Sequence, residues 1–314
     1  MQIAFVVDPL DEFKIHKDST FAMMREAAAR GHELYALQQE DLFWRAGVVT
    51  GLATRLHLTG DPQAWYRSDP VNAVPLKNFD AVLMRKDPPF DMEYVYSTYL
   101  LELAQEQGAR VFNHPRAIRD CNEKMTIARF PQFTAPTMVT RHAHLIHDFI
   151  AEHADVILKP LDGMGGTSIF RVSAKDPNLN VIIETVTHYG RRTIMAQRYI
   201  PAIVDGDKRV LLIGGKPVPY ALARIPKAGE TRGNLAAGGT GVARELTARD
   251  REIAESLGPL LYAQGLLLVG LDVIGEYLTE VNVTSPTCFQ EITDQTGFNV
   301  AGMMLDALER VVEQ

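Results

Sequence analysis

The sequence has few cysteines, no basic excess and no long apolar run. Two cysteines, Cys121 and Cys288, among 314 residues exclude a disulfide framework and are typical of the reducing cytoplasm. The most apolar later stretch, residues 266–271, is far shorter than the ~20 residues of a membrane-spanning helix. Lys and Arg number 32 against 39 Asp and Glu, which argues against a nucleic-acid binder. We therefore expect a cytoplasmic protein that binds neither membrane nor nucleic acid.

What the chain does contain is an ordinary globular composition, with 46% apolar and 23% charged residues. The first ~120 residues alternate strand and helix signals, which predicts a parallel α/β sheet. Predicted strands lie at residues 3–7, 33–37, 81–84 and 110–113, with helices at 21–29 and 93–107. A further helix is predicted at 116–129, and the prolines after it mark a boundary before a region of mixed strands and helices.

A glycine-rich segment follows the predicted strand that ends at Lys159. The sequence of residues 159–168 is KPLDGMGGTS. Glycines let backbone N–H groups approach an anion closely, and a neighbouring lysine adds a positive charge for phosphate. The alternative is a simple hairpin turn, and the local sequence leaves both interpretations open.

Residues 271–283 predict a polar cluster on a buried hairpin. Strand alternation places Glu280 and Asn282 on one face, and carboxylate and amide oxygens suit Mg²⁺. A three-residue loop at 275–277 would place Asp272 opposite Glu280, which we predict, whereas a two-residue turn would place it opposite Thr279. The alternative is a solvent-facing edge hairpin. The apolar flanks disfavour it, because buried unpaired carboxylates are costly.

Four arginines form the last group: Arg85, Arg209, Arg224 and Arg232. Arg209 and Arg224 lie on the two strands of a predicted hairpin whose turn is Gly214-Gly215. Arg232 lies in residues 226–241, which are rich in glycine and alanine and are typical of a lid or a linker. The planar guanidinium suits carboxylate or phosphate, although any single arginine could simply be solvated. Together they indicate a site for an anionic substrate.

Five segments together resemble the bacterial glutathione synthetases, which are ATP-grasp ligases. These segments are 84–90 (MRKDPPF), 119–124 (RDCNEK), 159–166 (KPLDGMGG), 230–239 (ETRGNLAAGG) and 279–287 (TEVNVTSPT). The resemblance covers nearly the whole chain. It implies an α/β fold in which an N-terminal parallel α/β domain, residues 1–122, precedes an ATP-grasp fold. Two α+β subdomains, residues 123–200 and 201–314, would clasp ATP, with residues 226–241 as a lid.

The same resemblance assigns roles to individual residues. It implies ATP contacts from Lys124, Lys159, Gly163, Met164, Gly165, Gly166, Gln197, Arg198, Tyr199, Ile200 and Asp207. It implies substrate contacts from Lys17, Arg85, Arg209, Arg224, Arg232, Ser285, Pro286 and Thr287, with Arg209, Arg224 and Arg232 also catalytic. Asp272, Glu280 and Asn282 would bind one or two Mg²⁺ or Mn²⁺ ions. Two positions depart from the family pattern: Arg198 replaces an uncharged amide, and Thr240 replaces a basic residue.

The activity implied by the resemblance is the ligation of γ-glutamylcysteine to glycine with ATP, through an acyl phosphate. A homo-oligomer, either a tetramer or a dimer, is also implied. Two alternatives remain. One is another ATP-grasp ligase, for example one that joins D-alanines or adds glutamate. The other is a nucleotide-binding regulator without catalysis.

Deleting residues 230–239 should raise ATP hydrolysis relative to peptide formation. The predicted lid excludes water, and an open site would hydrolyse an acyl phosphate before the amine reacts. Phosphate and peptide product would be measured side by side for the deletion variant and the unmodified chain. A parallel fall of both products would contradict this role for the segment.

Overall fold

The computed structural model describes residues 1–163, 166–227, 229, 233 and 238–313. Three β-sheets organise this part of the chain. The first contains β1 (Gln2–Val6), β2 (Glu33–Leu37), β3 (Leu42–Arg45), β4 (Val48–Leu58), β5 (Tyr66–Ser68), β6 (Asn72–Pro75), β7 (Ala81–Met84) and β8 (Val111–Phe112). The second contains β9 (Thr137–Thr140), β10 (Asp155–Pro160), β11 (Phe170–Ser173) and β12 (Ile194–Arg198). The third contains β13 (Asp207–Ile213), β14 (Lys216–Ile225), β15 (Thr240–Glu245), β16 (Leu268–Ile274) and β17 (Tyr277–Asn282).

Helices cover the sheets. They are α1 (Ser19–Ala29), α2 (Met92–Glu106), α3 (Pro115–Asp120), α4 (Ala143–His153), α5 (Leu179–Val186), α6 (Ala248–Tyr262), α7 (Phe289–Thr296) and α8 (Val300–Val312). None of the described helices is both long and apolar enough to cross a membrane.

The first sheet has the strand order β3-β4-β2-β1-β7-β8, with β5 and β6 also paired to β4. Its central strands β2, β1, β7 and β8 run parallel, which confirms the predicted parallel sheet. Strand β1 has a core on each face, because Ile3 and Phe5 join one apolar cluster while Ala4 and Val6 join another. This explains why its sequence is a continuous apolar run rather than an alternating one.

The second and third sheets are antiparallel, with strand orders β11-β10-β12-β9 and β15-β14-β13-β16-β17. The predicted hairpin turn at Gly214-Gly215 is confirmed, because Ile213 pairs with Lys216. Strand β15 was not predicted. It begins at Thr240, so the last two residues of the predicted lid belong to a strand.

The predicted helix at 116–129 is wrong in its middle. Helix α3 ends at Asp120, and a separate 3-10 turn covers Met125–Arg129. The Asn122 side chain breaks the run, since its Oδ1 accepts hydrogen bonds from the backbone nitrogens of Lys124 and Met125. An Asn oxygen that satisfies the free N–H groups at the start of a new turn competes with helix continuation.

The two ends of the chain share one apolar core. Phe5 of β1, Leu211 of β13 and Leu308 of α8 all belong to the same buried cluster. At the end of α1, Arg30 donates to Asp306 at 2.7 Å and to Glu309 at 2.9 Å, both on α8. The last helix therefore packs against the N-terminal sheet, and the boundaries at residues 122 and 200 stay predictions.

Asn113 joins the first sheet to the third. Its side-chain nitrogen donates to the carbonyl oxygens of Leu268 at 2.7 Å and Val283 at 2.8 Å. Its side-chain oxygen accepts from the Leu268 nitrogen at 2.9 Å. All three hydrogen bonds are buried, so one side chain fixes the position of β16 and of the segment after β17 relative to β8.

Replacing this side chain tests its structural role. Asn113→Ala should lower the free energy of unfolding by about 2–4 kcal/mol, because buried backbone groups lose their partners. Urea unfolding would measure the change. The matched control is Asn72→Ala, since Asn72 is exposed and its side chain donates to the Pro70 carbonyl oxygen within the same segment. Equal stability of the two variants would contradict the bridging role.

Candidate active site

Three oxygen-bearing side chains meet on the hairpin of β16 and β17. Asp272 lies directly opposite Glu280, and Gly270 lies opposite Asn282. The predicted pairing of Asp272 with Glu280 is therefore confirmed. The sequence folds this way because apolar neighbours on both strands, such as Leu271 and Val281, are buried and leave the polar residues on the other face.

The three-residue loop predicted to produce this pairing was wrong. The turn has two residues, Gly275 and Glu276, because Ile274 pairs with Tyr277. A β-bulge restores the register instead, with Thr279 as the extra residue between two regular pairs. The Thr279 hydroxyl donates to the Asp272 carbonyl oxygen at 3.1 Å, which stabilises the bulge.

Two buried arginines hold Asp272. The Arg209 Nε donates to Asp272 Oδ1 at 2.5 Å, and its Nη2 donates to Oδ2 at 3.1 Å. Arg224 Nη2 lies 2.8 Å from the same Oδ2 and also bonds Asp207 Oδ2. The four residues lie on adjacent strands, with Arg209 opposite Asp272 and Asp207 opposite Arg224. Two neighbouring cross-strand pairs of opposite charge therefore lie side by side on the third sheet.

Burial and charge act differently on the two aspartates. Burial alone would raise the pKa of Asp272, but Arg209 and Arg224 hold that pKa well below its usual range. Burial raises the pKa of Asp207; the charge of Arg224 opposes this rise, whereas the negative charges of Asp272 and Glu280 add to it. Asp207 Oδ1 is buried and has no hydrogen-bond partner among the described residues. This oxygen is available to a bound ligand.

A cleft of about 120 Å³ lies between the second and third sheets. It brings together every described member of the predicted ATP set. These members are Lys124, Lys159, Gly163, Gly166, Gln197, Arg198, Tyr199, Ile200 and Asp207. Met164 and Gly165 lie outside the described residues. Apolar side chains including Ile157, Ile169 and Ile274 complete the wall, as in sites for flat aromatic ligands.

Hydrogen bonds fix the positions of the two lysine side chains in this cleft. Lys159 Nζ donates to Gln197 Oε1 at 3.2 Å, and burial lowers the pKa of this lysine. Lys124 Nζ donates to Glu123 Oε1 at 2.8 Å and to the Gly163 carbonyl at 3.2 Å. Burial would lower the pKa of Lys124, but Glu280 and Glu123 raise it overall. Both lysines therefore line the smaller cleft, where Lys124 contacts the glycine loop and Lys159 contacts Gln197.

Gly163 and Gly166, the described ends of the glycine loop, adopt positive φ angles of +100° and +77°. Residues other than glycine rarely adopt this conformation. The two glycines are therefore required by the path of the backbone. The loop interpretation is favoured over a tight turn by length, because the last pair between β10 and β11 is Leu158 with Phe170. Arg198, the residue that departs from the family pattern, donates to the Tyr277 hydroxyl at 3.2 Å.

A second, larger cleft of about 480 Å³ opens beside the first. The described members of the predicted substrate set that line it are Lys17, Arg209, Arg224, Ser285, Pro286 and Thr287. Arg85 is the exception. It lies buried behind the wall, where it donates to Thr20 Oγ1 at 3.1 Å and to the Pro286 carbonyl at 3.0 Å. Arg85 therefore holds the 285–287 segment in position from behind, and it does not line the cleft itself. The predicted substrate contact of Arg85 is not seen in this arrangement.

Sequence reasoning missed several cleft residues. Lys14, Asp18, Asp87 and Glu291 also line the larger cleft. Ser285 donates to Asp87, and Asp18 caps α1 by accepting from the Phe21 nitrogen. Asp18 could have been found as the capping residue before the predicted helix at 21–29. No local pattern marks Glu291, because the packing of α7 against α1 brings it to the cleft.

The two clefts meet at one place. Gly163, Asp272 and Glu280 line both of them. A phosphate held by the lysines of the smaller cleft would therefore face the contents of the larger one. This arrangement suits transfer of a phosphoryl group from a nucleotide to an acceptor.

The donor set at this junction fits Mg²⁺. Asp272, Glu280 and Asn282 offer only oxygen to a cation, as Mg²⁺ prefers. Asn282 Nδ2 donates to the Gly270 carbonyl at 3.3 Å, so its oxygen is the end free to coordinate. Among the described residues, no three His, Cys, Asp or Glu side chains form a metal cluster by themselves. Phosphate oxygens of a nucleotide would then complete the shell.

Part of the predicted lid can be placed. Gly233 lines the smaller cleft, and a Cβ there would lie 2.3 Å from the Arg224 carbonyl oxygen. Only glycine allows so close an approach at this position. Arg232 and residues 228, 230, 231 and 234–237 lie outside the described residues.

Comparison with known proteins agrees with this geometry. The family described as "Prokaryotic glutathione synthetase, N-terminal domain" matches residues 1–119, and "Prokaryotic glutathione synthetase, ATP-grasp domain" matches residues 123–297. The glutathione synthetase of Ralstonia nicotianae is 68% identical over 310 residues, which cover 99% of this chain and 96% of that protein. That of Nitrosomonas europaea is 66% identical over 99% of this chain and 98% of that protein.

Solved structures of more distant proteins share the fold. The ATP-grasp ligase PsnB, complexed with minimal precursor, Mg and ADP, has a TM-score of 0.65 at 18% identity and covers 99% of this chain and 98% of its own. The D-cycloserine synthetase DcsG has a TM-score of 0.68 at 14% identity, with 99% of each chain covered. These likenesses show the ATP-grasp fold alone. The two family matches and the two bacterial relatives establish that the chain belongs to the prokaryotic glutathione synthetases, a family of ATP-grasp ligases.

Proposed function

We propose that the chain joins γ-L-glutamyl-L-cysteine to glycine, with ATP converted to ADP and phosphate. The observation that carries this proposal is the meeting of the two clefts at Gly163, Asp272 and Glu280. A free carboxylate is a poor electrophile and must be activated before an amine can attack it. The junction is where a nucleotide phosphate and a substrate carboxylate can come together.

The reaction proceeds in two transfers. An oxygen of the cysteinyl carboxylate attacks the γ-phosphorus, and the bond from that phosphorus to the ADP oxygen breaks. The glycine amine then attacks the acyl carbon, loses a proton and displaces phosphate. The protein contributes positioning and charge stabilisation in both transfers.

The arginines supply the charge stabilisation. Arg209 and Arg224 line the larger cleft while Asp272 fixes their guanidinium groups. Arg209 would stabilise the oxyanion of the tetrahedral intermediate, because donors held in advance need no reorganisation during the reaction. Arg232 is proposed to act with them from the lid.

Lys124, Lys159 and the segment 197–200 would bind ATP. Lys124 and Lys159 neutralise phosphate charge beside the glycine loop, and Gln197 to Ile200 border the base. Asp207, with one free buried oxygen, is proposed to bind a ribose hydroxyl. Asp272, Glu280 and Asn282 would hold one or two Mg²⁺ or Mn²⁺ ions, which neutralise phosphate charge when bound.

Two finer expectations stay proposals. The resemblance supports a homo-oligomer, either a tetramer or a dimer. A cytoplasmic location is supported by two buried, unpaired thiols, Cys121 and Cys288, which suit a reducing compartment.

ADP release by the purified chain with Mg-ATP should be strong only when γ-glutamylcysteine and glycine are both present. Mass spectrometry should then find glutathione in the same mixture. Stimulation by D-alanine or glutamate, and none by the proposed pair, would move the assignment to another ligase. Tight ATP binding without turnover under any pairing would favour the regulatory alternative.

Glu280→Gln tests the metal site. The variant keeps the shape of the side chain but removes a charged ligand. The Mg²⁺ concentration for half-maximal activity should rise by at least the roughly 10–100-fold that loss of a supporting metal contact costs. Glu276→Gln is the matched control, because Glu276 lies exposed in the turn of the same hairpin. An unchanged Mg²⁺ dependence in Glu280→Gln would contradict the assignment.

A further inference from the structure

Asn122 uses both ends of its side-chain amide. Its Oδ1 accepts hydrogen bonds from the backbone nitrogens of Lys124 at 3.1 Å and of Met125 at 2.9 Å. Its Nδ2 donates to the carbonyl oxygen of Leu161 at 3.0 Å. The oxygen therefore shapes the backbone turn that carries Lys124, and the nitrogen holds the start of the glycine loop.

The two segments joined by this amide are attached to different sheets. Residues 161–163 follow β10 of the second sheet directly. Residues 123–125 are bound to the third sheet, because the Val281 nitrogen on β17 donates to the Glu123 carbonyl oxygen at 2.8 Å. Asn122 thus connects the two sides of the smaller cleft at the end where Lys124 lies.

Two further contacts anchor the start of the glycine loop. Lys124 Nζ donates to the Gly163 carbonyl oxygen at 3.2 Å, and Arg192 forms an ion pair with Asp162. The side chains of this ion pair are 31% and 63% exposed, and pairs in contact with solvent contribute little stability. The position of the loop therefore depends mainly on the segment 122–124.

We propose that Asn122 is a positioning residue that fixes the glycine loop relative to Lys124. The loop and the ammonium group then meet the phosphates of ATP in one arrangement. This inference rests on the ATP site of the proposed function. Groups that are held in place before binding lose less freedom when the ligand arrives, so their order adds to affinity.

The chemistry of this position requires an amide. Asp and Ser also favour the start of a helical turn, because their side-chain oxygens accept from backbone N–H groups. Neither keeps the contact with Leu161. An ionised carboxylate has no proton to donate, and a serine hydroxyl lies one bond closer to the backbone. Either substitution at residue 122 keeps the turn and releases the loop.

Asn122→Ser and Asn122→Asp separate the two ends of the amide. Calorimetry would measure binding of the ATP analogue AMPPNP with Mg²⁺, without turnover. Its dissociation constant should rise roughly 3–10-fold in both variants, as expected for one lost hydrogen bond. Displacement by adenosine, which lacks phosphates, should show an unchanged affinity for adenosine. The serine variant is neutral, so its effect does not come from repulsion of phosphate.

A control variant and urea unfolding separate positioning from structural damage. Asn180 is exposed on α5, and Asn180→Ser should bind AMPPNP as the unmodified chain does. Equal weakening of adenosine and AMPPNP would overturn the inference. A lower free energy of unfolding with unchanged AMPPNP binding would also overturn it. Failure of the unmodified chain to bind AMPPNP would instead overturn the ATP site of the proposed function.

Discussion

A buried carboxylate held between two guanidinium groups is the interaction on which the rest of the site depends. Asp272, Arg209 and Arg224 are each less than a tenth exposed. Removing one member of such a group leaves an uncompensated buried charge, which costs about 3–5 kcal/mol. The stability of the third sheet therefore requires all three residues together, and their ion pairs fix the orientation of both guanidinium groups. These groups line the larger cleft in fixed positions before any ligand binds.

Strands β13, β16 and β17 line both clefts because charged residues repeat across the sheet. Arg209 faces Asp272, and Asp272 faces Glu280 on the next strand. Arg209 lines the larger cleft, whereas Asp272 and Glu280 line both. The meeting point of the two clefts thus follows from strand register, and a shift of one residue would turn these side chains to the opposite face.

Local patterns were enough to predict much of this arrangement. The parallel N-terminal sheet follows from alternating strand and helix signals, and the Gly214-Gly215 hairpin follows from its turn residues. The pairing of Asp272 with Glu280 was predicted correctly but from a three-residue loop that does not exist. The bulge at Thr279 could not be predicted, because it depends on a hydroxyl that bonds a carbonyl on the neighbouring strand. Asn122 interrupts a helical pattern through its own side-chain oxygen. Arg85 and Glu291 gain their places from contacts between distant segments, which no local window contains.

The packing of the last helix against the first sheet has a consequence for synthesis of the chain on the ribosome. His32 hydrogen-bonds both the amino group of Met1 and the carboxylate of Glu309, and the apolar surface of β1 is shared with α8. Synthesis proceeds from the N-terminus, and domains generally fold in that order. The first sheet, although made first, is covered on this face only in part by α1, and the remaining apolar surface waits for α8. Chaperones that shield nascent apolar surface would therefore act on this protein through its N-terminal third.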